Sequence, residues 1–125
     1  MKRVATCSCG RLSMAIHGEP TKISACHCQA CQRRTGSAFG VAVFYKKDRV
    51  ETSGASTSYV RAGDSGRSIE FRFCPACGST VFWMPEFRVD LVAIALGCFV
   101  ESRSLVPTQS VYEQSRLPWV SLDLL

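Results

Sequence analysis

The spacing of the cysteines constrains this chain more than any other feature, because seven of the eight fall into three close groups. The groups are Cys7-x-Cys9, Cys26-His27-Cys28-x-x-Cys31 and Cys74-x-x-Cys77 followed by Gly78, and Cys98 stands alone. A Cys-x-x-Cys turn followed by glycine is typical of zinc sites, in which amide groups of the turn donate hydrogen bonds to the thiolates. The pattern therefore favours metal binding over seven unrelated cysteines.

The first residues of the chain help to decide between metal ligands and disulfides, because they indicate the cellular compartment. Lys2 and Arg3 are followed by no apolar stretch, so we expect no secretory signal, and no apolar run is long enough for a membrane span. Grouped cysteines in a reducing compartment are metal ligands more often than disulfides. We therefore expect a cytoplasmic metal-binding protein.

The spacing also indicates how the cysteines divide between ions. Cys26, Cys28 and Cys31 are so close in sequence that one local turn can bring three thiolates to one ion. The two remaining pairs together supply four ligands, which close a tetrahedral zinc site: Cys7, Cys9, Cys74 and Cys77. The alternative for each pair is two unrelated structural cysteines. We expect two zinc ions, and the one with three ligands keeps a position open for water or substrate.

The 125 residues predict a single zinc-binding domain, residues 1–125, that is mainly β. Short apolar or alternating segments predict strands, mostly antiparallel, at 12–16, 38–45, 69–73, 80–84 and 91–99. Residues 89–96 allow a buried helix instead, but their β-branched side chains favour a strand. Only residues 28–35 predict a helix.

The formal net charge of +5 raises the possibility of an acidic partner. Seven thiolates around two Zn²⁺ ions would lower it to about +2. The basic residues are also scattered along the chain, so we expect no nucleic-acid partner.

Four segments resemble the family of glutathione-dependent formaldehyde-activating enzymes, also called the centromere protein V type. They are Cys7-Ser8-Cys9-Gly10, the stretch from Cys26-His27-Cys28 to Gly36-Ser37-Ala38-Phe39, Phe73-Cys74-Pro75-Ala76-Cys77-Gly78 and Leu117-Pro118-Trp119. The resemblance implies a β-tent of short antiparallel sheets around a structural zinc on Cys7, Cys9, Cys74 and Cys77. It also implies a functional zinc on Cys26, Cys28 and Cys31, and a carbon–sulfur lyase that forms or breaks S-(hydroxymethyl)glutathione.

Elementary chemistry supports a thiol substrate at a three-thiolate zinc. Such a site is soft and carries a net negative charge, so it suits a thiol as fourth ligand better than it activates water. Arg33 and Arg34 could offset that charge or bind a substrate carboxylate, and the alternative for each is a solvated surface arginine. His27 could move a proton, or it could point away from the metal and hydrogen-bond structurally. A non-catalytic zinc module, such as a thiol carrier, metal buffer or interaction domain, is the alternative function.

The remaining candidates are expected to be structural. We expect His17 to be exposed and Cys98 to be a small buried hydrophobic residue. Five aromatic side chains are expected in the core rather than around a cofactor: Phe39, Phe44, Phe82, Trp83 and Trp119.

Overall fold

A computed structural model of the protein describes residues 2–85 and 88–124. This part of the chain is mainly β, which confirms the predicted fold class. Its strands are β1 Lys2–Thr6, β2 Ser13–His17, β3 Lys22–Cys26, β4 Gly40–Lys46, β5 Val50–Ser53, β6 Thr57–Ala62, β7 Ser68–Phe73, β8 Thr80–Met84, β9 Leu91–Ala95 and β10 Gln109–Val111. Helix α1 spans Gln29–Thr35, and short 3-10 helices lie at Lys47–Arg49, Leu96–Cys98 and Glu113–Ser115.

The strands form two sheets. The smaller has the order β1-β2-β5, and the larger has the order β10-β3-β4-β9-β8-β7-β6. Every pair is antiparallel except β10 with β3, where Val111 lies opposite Cys26. This parallel pair was not predicted, and it brings residues near the C-terminus beside the cysteines that follow β3.

Helix α1 is capped at both ends by the residues that flank it in the sequence. The Cys28 thiol accepts a hydrogen bond from the Cys31 N–H, in the manner of a side-chain N-cap. Gly36 ends the helix in the left-handed conformation, with its N–H bonded to the Gln32 carbonyl. The helix predicted at 28–35 is therefore confirmed, and its cap is itself one of the grouped cysteines.

The main core fills the space between the two sheets. Leu12, just before β2, and Met14 and Ile16 within it are buried in one cluster with Val43 of β4 and Ile94 of β9. Burial of each large apolar side chain stabilises the fold by roughly 1.5–3 kcal/mol. A second cluster covers another part of the large sheet and consists of Phe44, Phe71, Trp83, Leu91 and Ala93.

Several expectations need correction. Trp119 is 75% exposed, because the turn at Leu117–Val120 directs Val120 into the core in its place. Phe39 and Phe82 are half-buried rather than fully buried, whereas Phe44 and Trp83 are buried as predicted.

The segment after residue 88 is a strand, so the alternative of a buried helix there is wrong. The strand is shorter than predicted, since it ends at Ala95 and a 3-10 helix follows. Cys98 lies in that helix and is half-buried, with its thiol 3.8 Å from the Thr80 carbonyl oxygen. His17 is exposed as predicted and lies 3.8 Å from Glu51. Within residues 2–85 and 88–124, no helix has the length and apolar character needed to cross a membrane.

Candidate metal centres and the adjoining groove

Four cysteines converge where the two sheets meet. Cys7 and Cys9 lie in the turn after β1, and Cys74 and Cys77 lie in the turn between β7 and β8. Their sulfur atoms all lie within 4.8 Å of one another, with 3.7 Å between Cys7 and Cys9 and 3.6 Å between Cys9 and Cys74. A tetrahedral zinc with Zn–S bonds of 2.3 Å separates its sulfurs by about 3.8 Å, whereas a disulfide needs about 2.05 Å. The set therefore fits a zinc ion.

Backbone amides and a hydroxyl surround these sulfurs. The Leu12 N–H donates to Cys7 at 3.3 Å, and the Ala76 N–H donates to Cys74 at 3.4 Å. Hydrogen bonds from the Ser79 side chain and then its backbone lower the pKa of Cys77 to about 5. Donors of this kind favour thiolates, the form that binds zinc.

The second group lies at the junction between β3 and α1. Cys26 ends the strand, Cys28 caps the helix and Cys31 lies in its first turn. The three sulfurs lie within 4.8 Å of one another, and among the described residues no fourth His, Cys, Asp or Glu atom joins them. This set can hold an ion while leaving one position free for another ligand.

The charges around this triad favour a thiolate. A hydrogen bond from Cys26, together with the nearby Arg34 guanidinium, lowers the pKa of Cys31 to about 5. The same hydrogen bond and burial raise the pKa of Cys26. These interactions favour the thiolate form of Cys31, the form that binds a metal ion.

Arg34 is fixed beside the triad. Its guanidinium carbon stands 4.3 Å from the centre of the Trp83 ring, a cation–π contact, and it also interacts with Cys31. Gly40, which pairs with Cys26 across β3 and β4, leaves room for it, because a Cβ there would lie 2.6 Å from Arg34 Nη2. Arg33 is exposed instead. The two neighbouring arginines therefore have different surroundings, which the sequence alone did not distinguish.

His27 is fully buried and faces the C-terminal segment. Its Nε2 lies 2.9 Å from the Ser110 hydroxyl, and that hydroxyl donates to the Glu113 carboxylate. Arg116 Nε donates to the same carboxylate at 2.9 Å. Because the Ser110 proton is used on Glu113, its oxygen accepts from Nε2–H, and Nδ1 is buried without a hydrogen-bond partner among the described residues.

The burial and the hydrogen bond of His27 agree with a structural role for this side chain. Its catalytic role stays a prediction. Sequence reasoning missed Ser110, Glu113 and Arg116. They are more than 80 residues away and reach His27 only through the parallel pairing of β10 with β3.

A groove of about 550 Å³ lies between α1 and the β6–β7 hairpin. Its helix side is formed by Ala30, Arg33 and Arg34, and its sheet side includes Tyr59, Arg61, Phe71 and Phe73. Within the described residues, no carboxylate lies within 4.0 Å of any of the three guanidiniums. A positively charged groove with aromatic walls suits a small anion. Nothing in the sequence indicated that Arg61 would face the helix.

A second cavity of about 410 Å³ shares Arg34 with this groove. Phe39 and Gly40 line one side, and residues 78–80 and 95–98 line the other. Neither cavity is lined by a cysteine of the triad, and the link to the triad is Arg34, which contacts Cys31.

Comparison with known proteins agrees with this architecture. No curated protein matches the sequence. Three solved structures match it. One is a crystal structure of a Rhodobacter sphaeroides protein that is 17% identical, with a TM-score of 0.65 over 86% of this chain and 99% of that one. The likeness shows a shared fold.

The sequence profile of the glutathione-dependent formaldehyde-activating enzymes matches residues 2–115, which include all seven grouped cysteines. The chain therefore belongs to the family of glutathione-dependent formaldehyde-activating enzymes.

Proposed function

We propose that this protein is a zinc-dependent carbon–sulfur lyase that joins glutathione and formaldehyde into S-(hydroxymethyl)glutathione, or catalyses the reverse reaction. The observation that carries the proposal is the triad of Cys26, Cys28 and Cys31, which lacks a fourth protein ligand among the described residues. Membership of the formaldehyde-activating family supports the same reaction.

Two zinc ions per chain are proposed. Cys7, Cys9, Cys74 and Cys77 would hold a structural zinc between the sheets, and the triad would hold the functional one. A zinc on three thiolates supplies a soft position at which a substrate thiol binds as a nucleophilic thiolate. Arg34 would offset part of the negative charge that collects there, because its guanidinium already interacts with Cys31.

The groove would hold the rest of the thiol. Glutathione carries two carboxylates, and a guanidinium binds a carboxylate through two parallel hydrogen bonds. Arg33 is the best placed for this role, since Arg34 is engaged by Trp83 and Cys31. Arg61 lies over the Phe71 ring and donates to the Ala62 carbonyl, but it lines the same groove and would supply a second guanidinium. We place the enzyme in the cytoplasm, where glutathione keeps thiols reduced, in keeping with eight cysteines that form no disulfide.

Activity tested together with metal content decides between this enzyme and a zinc module without catalysis. Thiols add to formaldehyde without a catalyst, so the rate must exceed the uncatalysed one. We expect the zinc-loaded protein to accelerate the exchange between free and adduct formaldehyde, measured by exchange NMR at equilibrium. We expect Cys28→Ser to abolish the acceleration while the circular dichroism spectrum is retained. A zinc-loaded protein with no acceleration would favour the thiol carrier or metal buffer.

A further inference from the structure

Tyr112 has an unusual backbone for its residue type. Its φ of 57° and ψ of 43° are left-handed, and among the described residues it is the only non-glycine with a positive φ. A side chain with a Cβ is strained in this conformation, and strain of this kind is often found at functional sites. The conformation turns the chain from β10 into the 3-10 helix at Glu113–Ser115.

The parallel pairing places Tyr112 beside the triad. Val111 lies opposite Cys26, and its carbonyl accepts a hydrogen bond from the His27 N–H at 3.2 Å. Tyr112 therefore follows β10 at the level where the chain passes from Cys26 to Cys28. Tyr112 is 39% exposed, so a bound molecule can reach it.

The phenol of Tyr112 has a partner from another part of the fold. It donates a hydrogen bond to Asp64, which lies in the turn between β6 and β7. This bond is the main reason that the pKa of Tyr112 is raised to about 12, and the Cys26 and Cys28 sulfurs raise it further. Tyr112 thus follows the residue that pairs with Cys26, and its phenol contacts the hairpin that forms the sheet side of the groove.

We propose that Tyr112 is a catalytic residue that passes a proton between the hydroxyl of the thiol–aldehyde adduct and the Asp64 carboxylate. The inference rests on the proposed function. A phenol can accept one proton on its oxygen while it donates its own, so it can relay a proton without forming a phenolate beside the carboxylate.

The atoms balance in both directions. In adduct breakdown the carbon–sulfur bond breaks, and its electron pair leaves with sulfur as the thiolate. The electron pair of the hydroxyl O–H bond becomes the second carbon–oxygen bond of formaldehyde. The hydroxyl proton moves to the Tyr112 oxygen as the proton of Tyr112 moves to Asp64. Adduct formation reverses each transfer, and nothing is oxidised or reduced.

Two variants test the relay in the exchange NMR assay with glutathione and formaldehyde. Tyr112→Phe removes the hydroxyl and keeps the ring, and Asp64→Asn keeps a hydrogen-bond acceptor but no proton acceptor. We expect each to lower kcat by about 100-fold, with little change in the KM for glutathione. Added imidazole, a small base, should restore part of the rate of Tyr112→Phe, which loss of a merely structural contact would not allow. Tyr45→Phe is the matched control, because this hydroxyl is buried elsewhere against Arg3 and the Gly18 carbonyl, and its kcat should stay unchanged.

The outcomes separate the two proposals. An inactive wild-type protein overturns both the lyase and the relay. An active wild type with a normal kcat in folded Tyr112→Phe overturns the relay alone, and so does a raised KM at unchanged kcat. If Tyr112→Phe fails to fold, Asp64→Asn decides the question, since a normal kcat in that variant also overturns the relay.

Discussion

The two cysteine clusters use the same ligand in opposite ways. The four-cysteine cluster joins turns that are 65 residues apart in sequence and belong to different sheets, and each turn supplies one buried cysteine (Cys7, Cys74) and one exposed cysteine (Cys9, Cys77). The triad is local, comes from one strand–helix junction, and all three members are half-buried. We therefore expect the cluster that links distant segments to act on folding, and the local cluster of three ligands to be available for chemistry.

We also expect the two clusters to differ in how much they contribute to the stability of the fold. Binding of a structural zinc contributes on the order of 10 kcal/mol in small zinc domains, as much as the whole stability of many domains. Removal of an ion that bridges the sheets should therefore cost most of the fold. The triad segment has other supports, namely the β3–β4 pairing and the helix α1 itself.

The largest expected effect comes from replacing one cysteine in each cluster. We expect Cys74→Ser to be unfolded or aggregated, because it breaks the bridge between the sheets. Cys28→Ser should stay folded and bind about one zinc ion instead of two, since serine is a good N-cap and can still accept the Cys31 N–H. Circular dichroism and native mass spectrometry of the purified proteins measure fold and zinc content.

Cys98→Ser is the control for that experiment, because Cys98 belongs to neither cluster. It should keep both ions and the wild-type spectrum. Equal unfolding of Cys28→Ser and Cys74→Ser would show that the two clusters do not differ in role.

The sequence predicted those parts of the molecule that depend on neighbouring residues. Alternation located β2 and β7, the run from Cys28 to Thr35 located α1, and the spacing sorted seven cysteines into the two sets that the structure brings together. The missed features depend on pairings between distant segments. Ser110 reaches His27 only through the parallel pairing of β10, and Arg61 lines the groove across from α1 only through the fold that packs the β6–β7 hairpin there.

A smaller effect is expected when Arg33 or Arg34 is replaced. It distinguishes the binding of a thiol at the triad from the binding of carboxylates in the groove. At low salt we expect the zinc-loaded protein to bind glutathione more tightly than neutral mercaptoethanol. Arg33→Gln should weaken glutathione binding alone, by roughly fivefold for a loss of about 1 kcal/mol. Arg34→Gln should weaken both thiols, because Arg34 contacts Cys31 and so favours any thiolate at the triad. Isothermal titration calorimetry measures all six affinities, those of the three proteins for each of the two thiols.

Salt is the internal control for the arginines. The screening length falls from about 10 Å at 0.1 M salt to about 3 Å at 1 M, so high salt should narrow the preference for glutathione. Equal affinities of the two thiols at low salt would remove the arginines from the binding site.

The smallest effect concerns Glu113, which supports the triad side of the molecule and has no contact with the four-cysteine cluster among the described residues. The Ser110 hydrogen bond, with Arg116 and His27, lowers the pKa of Glu113 from its ordinary 4.5.

A carboxylate whose pKa is lowered by folding stabilises the fold at any pH above its ordinary pKa. This contribution is lost as the pH falls through the lowered pKa. The difference in urea midpoint between wild type and Glu113→Gln should therefore be constant above about pH 4.5 and shrink below it. Acid also protonates the cysteines and weakens zinc binding in both proteins, so the two are compared only in the pH range in which both remain folded. Glu51→Gln is the matched control, because its carboxylate is 80% exposed and far along the chain from this network. A midpoint difference that stays unchanged from pH 5 down to the lowest pH at which both proteins are still folded, or one that Glu51→Gln reproduces, would show that Glu113 supports neither His27 nor the triad.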